Sequence, residues 1–227
     1  MTQDDRAAAL VAAEPAAQMR TVNQLVEAAR ALIEPGQRHF LGITGAPGAG
    51  KSTLAAQVVA ALGADAVLVG MDGFHLRNDE LARLGRLDRK GAIDTFDPAG
   101  YVNLLERLHA RRDPVVYAPV FDRSLEESIG SAQPVPAEVP LVVTEGNYLL
   151  ADGPVWGRVR ELLDACWFVD PGEERRLAWL VARHLRYGRS PEEARQRSYG
   201  SDGRNAVLIA GTRQRASLVV RVMQPAV

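Results

Sequence analysis

A single lysine, Lys51, ends a stretch that is nearly bare of side chains, Gly42-Ile43-Thr44-Gly45-Ala46-Pro47-Gly48-Ala49-Gly50-Lys51-Ser52-Thr53-Leu54. From Gly45 through Gly50, Lys51 and Ser52 the spacing is G-x-x-x-x-G-K-[ST] without a mismatch. Small residues let successive backbone N–H groups point into one concavity, and the N-terminus of a following helix adds partial positive charge there. Such a loop holds phosphates. Lys51 supplies a point charge to β- and γ-phosphates, and the Ser52 hydroxyl suits the magnesium ion that bridges them. Gly45, Ala46, Pro47, Gly48, Ala49, Gly50, Lys51, Ser52 and Thr53 are therefore the expected nucleotide-binding residues. An ordinary Gly-rich turn would not need the Lys-Ser pair. The pattern specifies nucleotide binding and not which reaction follows.

Two carboxylates stand at comparable positions. Asp72 follows the apolar run Ala66–Gly70, where it could accept the proton of an attacking hydroxyl. Asp before Gly73 is equally an Asx-turn, with Gly73 allowing a sharp turn. Glu145 follows Leu141-Val142-Val143-Thr144. A carboxylate delivered by a buried strand needs a cation or donors nearby, so Glu145 and Ser52 are the expected magnesium-associated pair. The alternative is a solvent-exposed strand end.

The elements that must position these residues alternate in type. Strands are expected at Phe40–Thr44, Ala66–Gly70, Val115–Val120, Leu141–Thr144, Cys166–Val169 and Ser217–Val222. Helices are expected near 17–33, 52–62, 98–111, 154–163, 172–188 and 191–199. That order implies an α/β fold, a mostly parallel sheet flanked by helices, with ligands at the carboxyl ends of the strands. Asp97-Pro98 reads as an N-cap with proline at the first helical position. Residues 122–140 read as a surface excursion, and no internal repeat is visible.

At 227 residues, with 47% hydrophobic content, one sizeable core fits, and a single domain over 1–227 is expected. A net charge of −1 gives no overall basic field, so no nucleic-acid partner is expected. Thr2-Gln3-Asp4-Asp5 opens the chain with acids where a signal peptide carries positive charge, and the alanine-rich run after it is too short to cross a bilayer. A cytoplasmic protein without membrane insertion is the expectation. The lone Cys166, in Asp164-Ala165-Cys166-Trp167-Phe168, reads as a buried apolar residue. Residues 7–33 suit packing on the chain's own sheet or on a neighbour's, which leaves a homodimer open.

Taken in order, "GAPGAGKST", "MDGFHL", "RKGAIDTFD", "VYAPVFDR", "TEGNYLL" and "NAVLIAGTRQRASLVV" resemble the phosphoribulokinase/uridine kinase family of P-loop kinases over about residues 20 to 222. Within that family the chain is most similar to the bacterial branch called nucleoside/nucleotide kinases or fructose-transport-system kinases. "MDGF" and "TRQRASLVV" also resemble bacterial pantothenate kinases. The resemblance implies a P-loop NTPase fold with a helical lid at about 172–199, ATP and Mg2+ as cofactors, and transfer of the γ-phosphoryl group to a hydroxyl of a nucleoside-like or sugar-like metabolite. It implies Asp72 as catalytic base and Glu145 as the magnesium-associated acid. It also makes Arg183 and Arg189 lid arginines on the transferring phosphates, with Asn205 and Arg213 near the nucleotide. Arginine suits spread charge on phosphoryl oxygens, although a basic helix face is more often solvated, which is the reading for Arg175 and Arg186. The chain departs from the uridine kinase lid at Trp179 and Leu180, where that family places arginine.

Acceptor candidates are less specific. Arg89 and Lys90, with Asp94, lie where the family positions its acceptor, or form a surface flap. Tyr117 and Phe121 could stack a ring, Arg123 could pair with a carboxylate or phosphate, and Phe74 and His75 could line the same pocket. His75 could equally be structural. No counterpart of the uridine kinase histidine follows the strand at Val115–Val120, and no guanine-type "NKxD" is present. Pantothenate kinase-like activity and a non-catalytic, ATP-binding regulator of sugar transport are the alternative functions.

Overall fold

The computed structural model describes residues 15–223. The readings on the N-terminal acids and on the start of the alanine-rich run lie outside these residues. Strand β1 (Gln18–Arg20), helix α1 (Val22–Arg30), strand β2 (His39–Thr44), helix α2 (Lys51–Leu62) and strand β3 (Ala66–Gly70) open the chain. Helices α3 (Asn78–Arg83) and α4 (Pro98–Ala110) lead to strands β4 (Val115–Asp122), β5 (Glu127–Pro136) and β6 (Leu141–Glu145). Helix α5 (Trp156–Glu161), strand β7 (Ala165–Val169), helices α6 (Glu173–Arg186), α7 (Pro191–Tyr199) and α8 (Ser201–Ala210) and strand β8 (Leu218–Val222) follow.

Six strands form one sheet in the order β1-β8-β7-β2-β6-β3, parallel at every pairing. Side chains alternate across it, as a pleated strand requires. Phe40, Val142 and Phe168 face one core with α4 and α5, while Leu41, Ile43, Val143 and Val169 face the other with α1 and α2. Sheets buried on both faces read as continuous apolar runs, which is why β2, β6 and β7 are legible in the sequence. Two local signals also hold: the Asp97 side chain accepts from Gly100 N at 2.9 Å with Pro98 at the first turn of α4, and Cys166 is buried, its thiol pushed up by desolvation.

Three expectations are corrected. The helix expected near 17–33 begins only at Val22, behind a Thr21–Gln24 capping box, because Gln18–Arg20 pairs with Val220–Val222 as an edge strand. Three residues are too few for a periodicity to declare them. The strand at Val115–Val120 exists but belongs to a separate antiparallel hairpin, β4–β5, which also absorbs much of the 122–140 excursion. Pro134 and Pro136 masked β5; proline cannot donate to a ladder, yet a two-stranded hairpin has an open edge that tolerates it. Helix α8 was not expected; it buries Ile209 and carries Gly203 in its first turn.

Gly73 is needed for a different reason from the expected turn. A Cβ there would meet the Pro119 carbonyl oxygen at 2.6 Å, so the loop after β3 and the hairpin pack backbone to backbone. Overpacking of this kind costs about 1–3 kcal/mol. Gly73→Ala should lower stability by that amount in urea unfolding; an unchanged midpoint would show that the hairpin yields freely.

Candidate active site

The carboxyl ends of β2, β6 and β3 lie side by side, because β2 pairs with β6 and β6 with β3, with Glu145 opposite both Ile43 and Gly70. The loop after β2 needs its glycines: φ is +145° at Gly45, +83° at Gly48 and +89° at Gly50. Gly48 is also a close approach, since a Cβ would stand 2.7 Å from the Arg176 carbonyl oxygen. Helix α6 therefore backs the loop. Arg176 is buried, donates to the Pro47 carbonyl at 2.9 Å, and is held by both Glu173 oxygens at 2.8 and 2.7 Å. The i,i+3 spacing of Glu173 and Arg176 was the one available sequence signal for this brace.

Lys51 is buried, and its Nζ donates to the Ala46 carbonyl at 3.2 Å. Desolvation pushes its pKa down to about 8, against the raising influence of Glu145. Glu145 is likewise buried; desolvation and then Asp72 raise its pKa, while Lys51 and a hydrogen bond from Ser52 lower it. Ser52 and Thr53 are exposed at the start of α2. A hydroxyl beside a buried carboxylate is a hard-oxygen set that fits Mg2+. Among the described residues no cluster of three or more His, Cys, Asp or Glu could hold a metal alone, so the phosphates would have to complete the coordination.

Asp72 is half-buried on a 3-10 turn, Met71–Phe74, and accepts from Arg123 Nη2 at 3.1 Å. His75 Nδ1 donates to the Asp72 carbonyl at 2.8 Å, and its ring packs on Phe96 and Phe121 at 4.0 and 4.8 Å between centroids. That bond fixes the tautomer with Nε2 as acceptor. Burial lowers the pKa of His75, against the pull of the Asp72 carboxylate and carbonyl, so the imidazole is neutral at pH 7. A folded pKa below the unfolded value of about 6.5 gives no penalty above that pH and costs stability progressively as pH falls below it. In a 15N-edited titration of the folded protein the His75 ring should titrate below 6.5 with the proton on Nδ1; a midpoint above 6.5 would refute this.

A cleft of roughly 150 Å3 gathers Pro47, Lys51, Ser52, Asp72, His75, Lys90, Phe121, Arg123, Glu145, Arg183 and Arg189 of the sequence candidates. Lys90 Nζ is fixed by Asn78 Oδ1 at 2.6 Å and the Glu126 carbonyl at 2.5 Å. Arg183 stays solvent-exposed at the mouth, and the protein hemming it in lowers its pKa. Phe74 instead turns into the core, 5.2 Å from the Tyr101 ring. Arg89 pairs with Asp94 at 2.5 Å, outside the cleft. Tyr117 is 57% exposed and also outside, whereas Phe121, beyond the register shift between Ala118 and Val120, lines the cleft. Asn205 donates to the Gly91 carbonyl at 3.2 Å. Arg213 holds Asp170 at 2.8 Å beside a second cleft, of roughly 200 Å3, walled by Ala46, Phe168, Val169, Ala206 and Ala210.

Sequence reasoning missed Asn147, Tyr187, Arg197 and the pair of buried His184 with half-buried Asp202, whose Nε2 and Oδ2 are 2.8 Å apart. Asn147 stands in the "TEGNYLL" stretch after β6, whereas the others come from α6, α7, α8 and the turn after α6, which no motif marks. Arg197 donates to the Lys90 carbonyl at 3.2 Å, so α7 touches the loop that carries Lys90 directly.

A family model described as Phosphoribulokinase / Uridine kinase family matches residues 40–225. A second model, the Methylmalonyl Co-A mutase-associated GTPase MeaB, matches residues 5–71 only. The chain is similar to a protein provisionally named uridine kinase from Schizosaccharomyces pombe, at 30% identity over 82% of this chain and 84% of that protein. It is similar to a pantothenate kinase from Mycolicibacterium gilvum at 28% identity over 64% of this chain but 48% of that enzyme. Among solved structures, a provisionally named fructose transport system kinase from Silicibacter sp. TM1040 matches with a TM-score of 0.80 and 36% identity, over 88% of this chain and 98% of that one.

Proposed function

This chain belongs to the phosphoribulokinase/uridine kinase family and is a P-loop kinase, and from that premise we propose that it transfers the γ-phosphoryl group of Mg-ATP to a hydroxyl of a nucleoside-like or sugar-like metabolite, with Asp72 as general base. The observation that carries this reading is the shared cleft: Lys51 and Ser52 on one side, Asp72 between, His75, Phe121 and Arg123 on the other. A site that only bound ATP would have no use for the far side. The apolar walls of the second cleft, which shares Ala46 with the phosphate loop, suit the flat base of the nucleotide.

In this reading the backbone N–H groups of Gly48 to Lys51 cradle the phosphates, and residues 172–199 act as a lid. Ser52 and Glu145 would hold a magnesium ion, which would supply charge neutralisation on the β- and γ-oxygens. Lys51 and Arg183 lie where negative charge spreads during transfer, and Asp72 takes the hydroxyl proton as the new bond forms. Lid closure excludes water, which protects ATP from hydrolysis.

The test is ADP release from Mg-ATP, screened over nucleosides, nicotinamide riboside, pantothenate, fructose and other sugars. An acceptor that raises the rate, with the increase abolished in Asp72→Asn, supports the reading. A uniform background rate with ATP tightly bound would replace it with the regulatory one.

A further inference from the structure

We infer that the phosphoryl acceptor carries an anionic group, a carboxylate or a phosphate, a few bonds from its reacting hydroxyl, and that Arg123 is the residue that selects it. This rests on the kinase reading of the cleft and names the class of substrate for it.

Arg123 stands at the end of β4, and a single nitrogen of its guanidinium, Nη2, meets Asp72 at 3.1 Å. Among the described residues that is the one hydrogen bond of the fork, which leaves donors for a second planar or tetrahedral anion. The Phe121 ring supports the guanidinium at 5.6 Å and so aims it across the acceptor side of the cleft. The side chain is 43% exposed, free to shift toward a ligand without unpacking the hairpin.

The surroundings repeat the same charge. Lys90, only 10% exposed, holds its ammonium 5.2 Å from the centroid of the same Phe121 ring, and Arg189 and Arg197 line the same cleft. The acids that face them are Glu126 and Asp202, which line the cleft, and Glu127, 4.0 Å from the Lys90 ammonium. His75 is an imidazole with an open Nε2 acceptor, suited to a hydroxyl rather than to an anion. A wall of fixed cations with one acceptor nitrogen and one aromatic face matches a hydroxylated anion. A neutral acceptor would leave the unused donors of the Arg123 fork without an anionic partner. An anionic one gives Arg123 a second partner, while Asp72 Oδ1, which Arg123 does not engage, is open to the hydroxyl proton.

The experiment is calorimetric titration of the full chain loaded with Mg2+ and a non-hydrolysable ATP analogue, so that the phosphate loop is already filled. The probes are matched pairs: glycerol and glycerate, ribose and ribose 5-phosphate, uridine and uridine 5′-monophosphate, panthenol and pantothenate. In at least one pair the anionic member should bind at least about tenfold tighter, equivalent to about 1.4 kcal/mol. Arg123→Met should cut that preference below about threefold, and Arg123→Lys, which keeps a point charge but not the fork, should retain part of it. Which pair responds distinguishes carboxylate from phosphate. Equal binding within every pair, weak binding included, overturns the inference, as does a preference that survives in Arg123→Met. Anion-selective binding without acceptor-dependent ADP release would sink the kinase mechanism and leave the anion site standing.

Discussion

Lys51→Met is expected to reduce acceptor-dependent ADP release by about 10²–10³-fold, the scale of losing one preorganised donor to developing charge. The ammonium is enclosed, and the charge it offers is costly to keep there, as its lowered pKa of about 8 records. A charge held in such surroundings is strongest where it meets new negative charge, because little solvent screens it. The ligand-free contact with the Ala46 carbonyl shows where the ammonium rests; arriving phosphates offer a better partner than a neutral carbonyl. Lys51→Arg should not restore the rate, since a planar fork cannot replace a compact ammonium in a buried slot. The check is steady-state kinetics with circular dichroism on the same samples. A folded Lys51→Met variant with kcat within threefold of the wild type would remove Lys51 from the transition state.

The parts of the fold and site that were legible in the sequence are those with local causes. The phosphate loop is written in consecutive residues because positive φ and close backbone approach demand glycine at Gly45, Gly48 and Gly50. The buried strands declare themselves as apolar runs, and Asp72 and Glu145 follow from standing at the ends of two of them. What was not legible depends on partners distant in sequence. Arg123 meets Asp72 across 51 residues, and Arg176 meets Pro47 across 129. Tyr117 and Phe121 read as a pair able to stack a ring, but only Phe121 lines the cleft. The register shift of the β4–β5 pairing between them is a property of two strands that one strand's residues do not record. Arg213 and Asn205 were placed near the nucleotide by resemblance; Arg213 does border a cleft beside the phosphate loop, whereas Asn205 is spent on the Gly91 carbonyl.

Asp72→Asn is expected to lower kcat by about 10²–10⁴-fold, the range for a positioned general base, with KM for ATP within threefold of the wild type. The substitution keeps size and shape, and its amide oxygen can still accept from Arg123 Nη2, so the hairpin contact survives while the proton acceptor is lost. Glu145 is the rival base, and its surroundings argue against it. It is 9% exposed, engaged by Ser52 and set beside Lys51, on the phosphate side of the cleft, whereas Asp72 is open to the acceptor side with His75 and Arg123. A second role for Asp72 is also separable. If it served only to anchor Arg123, Asp72→Asn would raise the acceptor KM and leave kcat nearly unchanged, because an interaction shared by ground and transition states appears in KM alone. If it accepts the hydroxyl proton, the loss falls on kcat, since the developing bond requires a carboxylate and the amide cannot take the proton. Steady-state kinetics with the acceptor varied at saturating Mg-ATP decides between the two, and a kcat within threefold of the wild type would end the case for Asp72 as base.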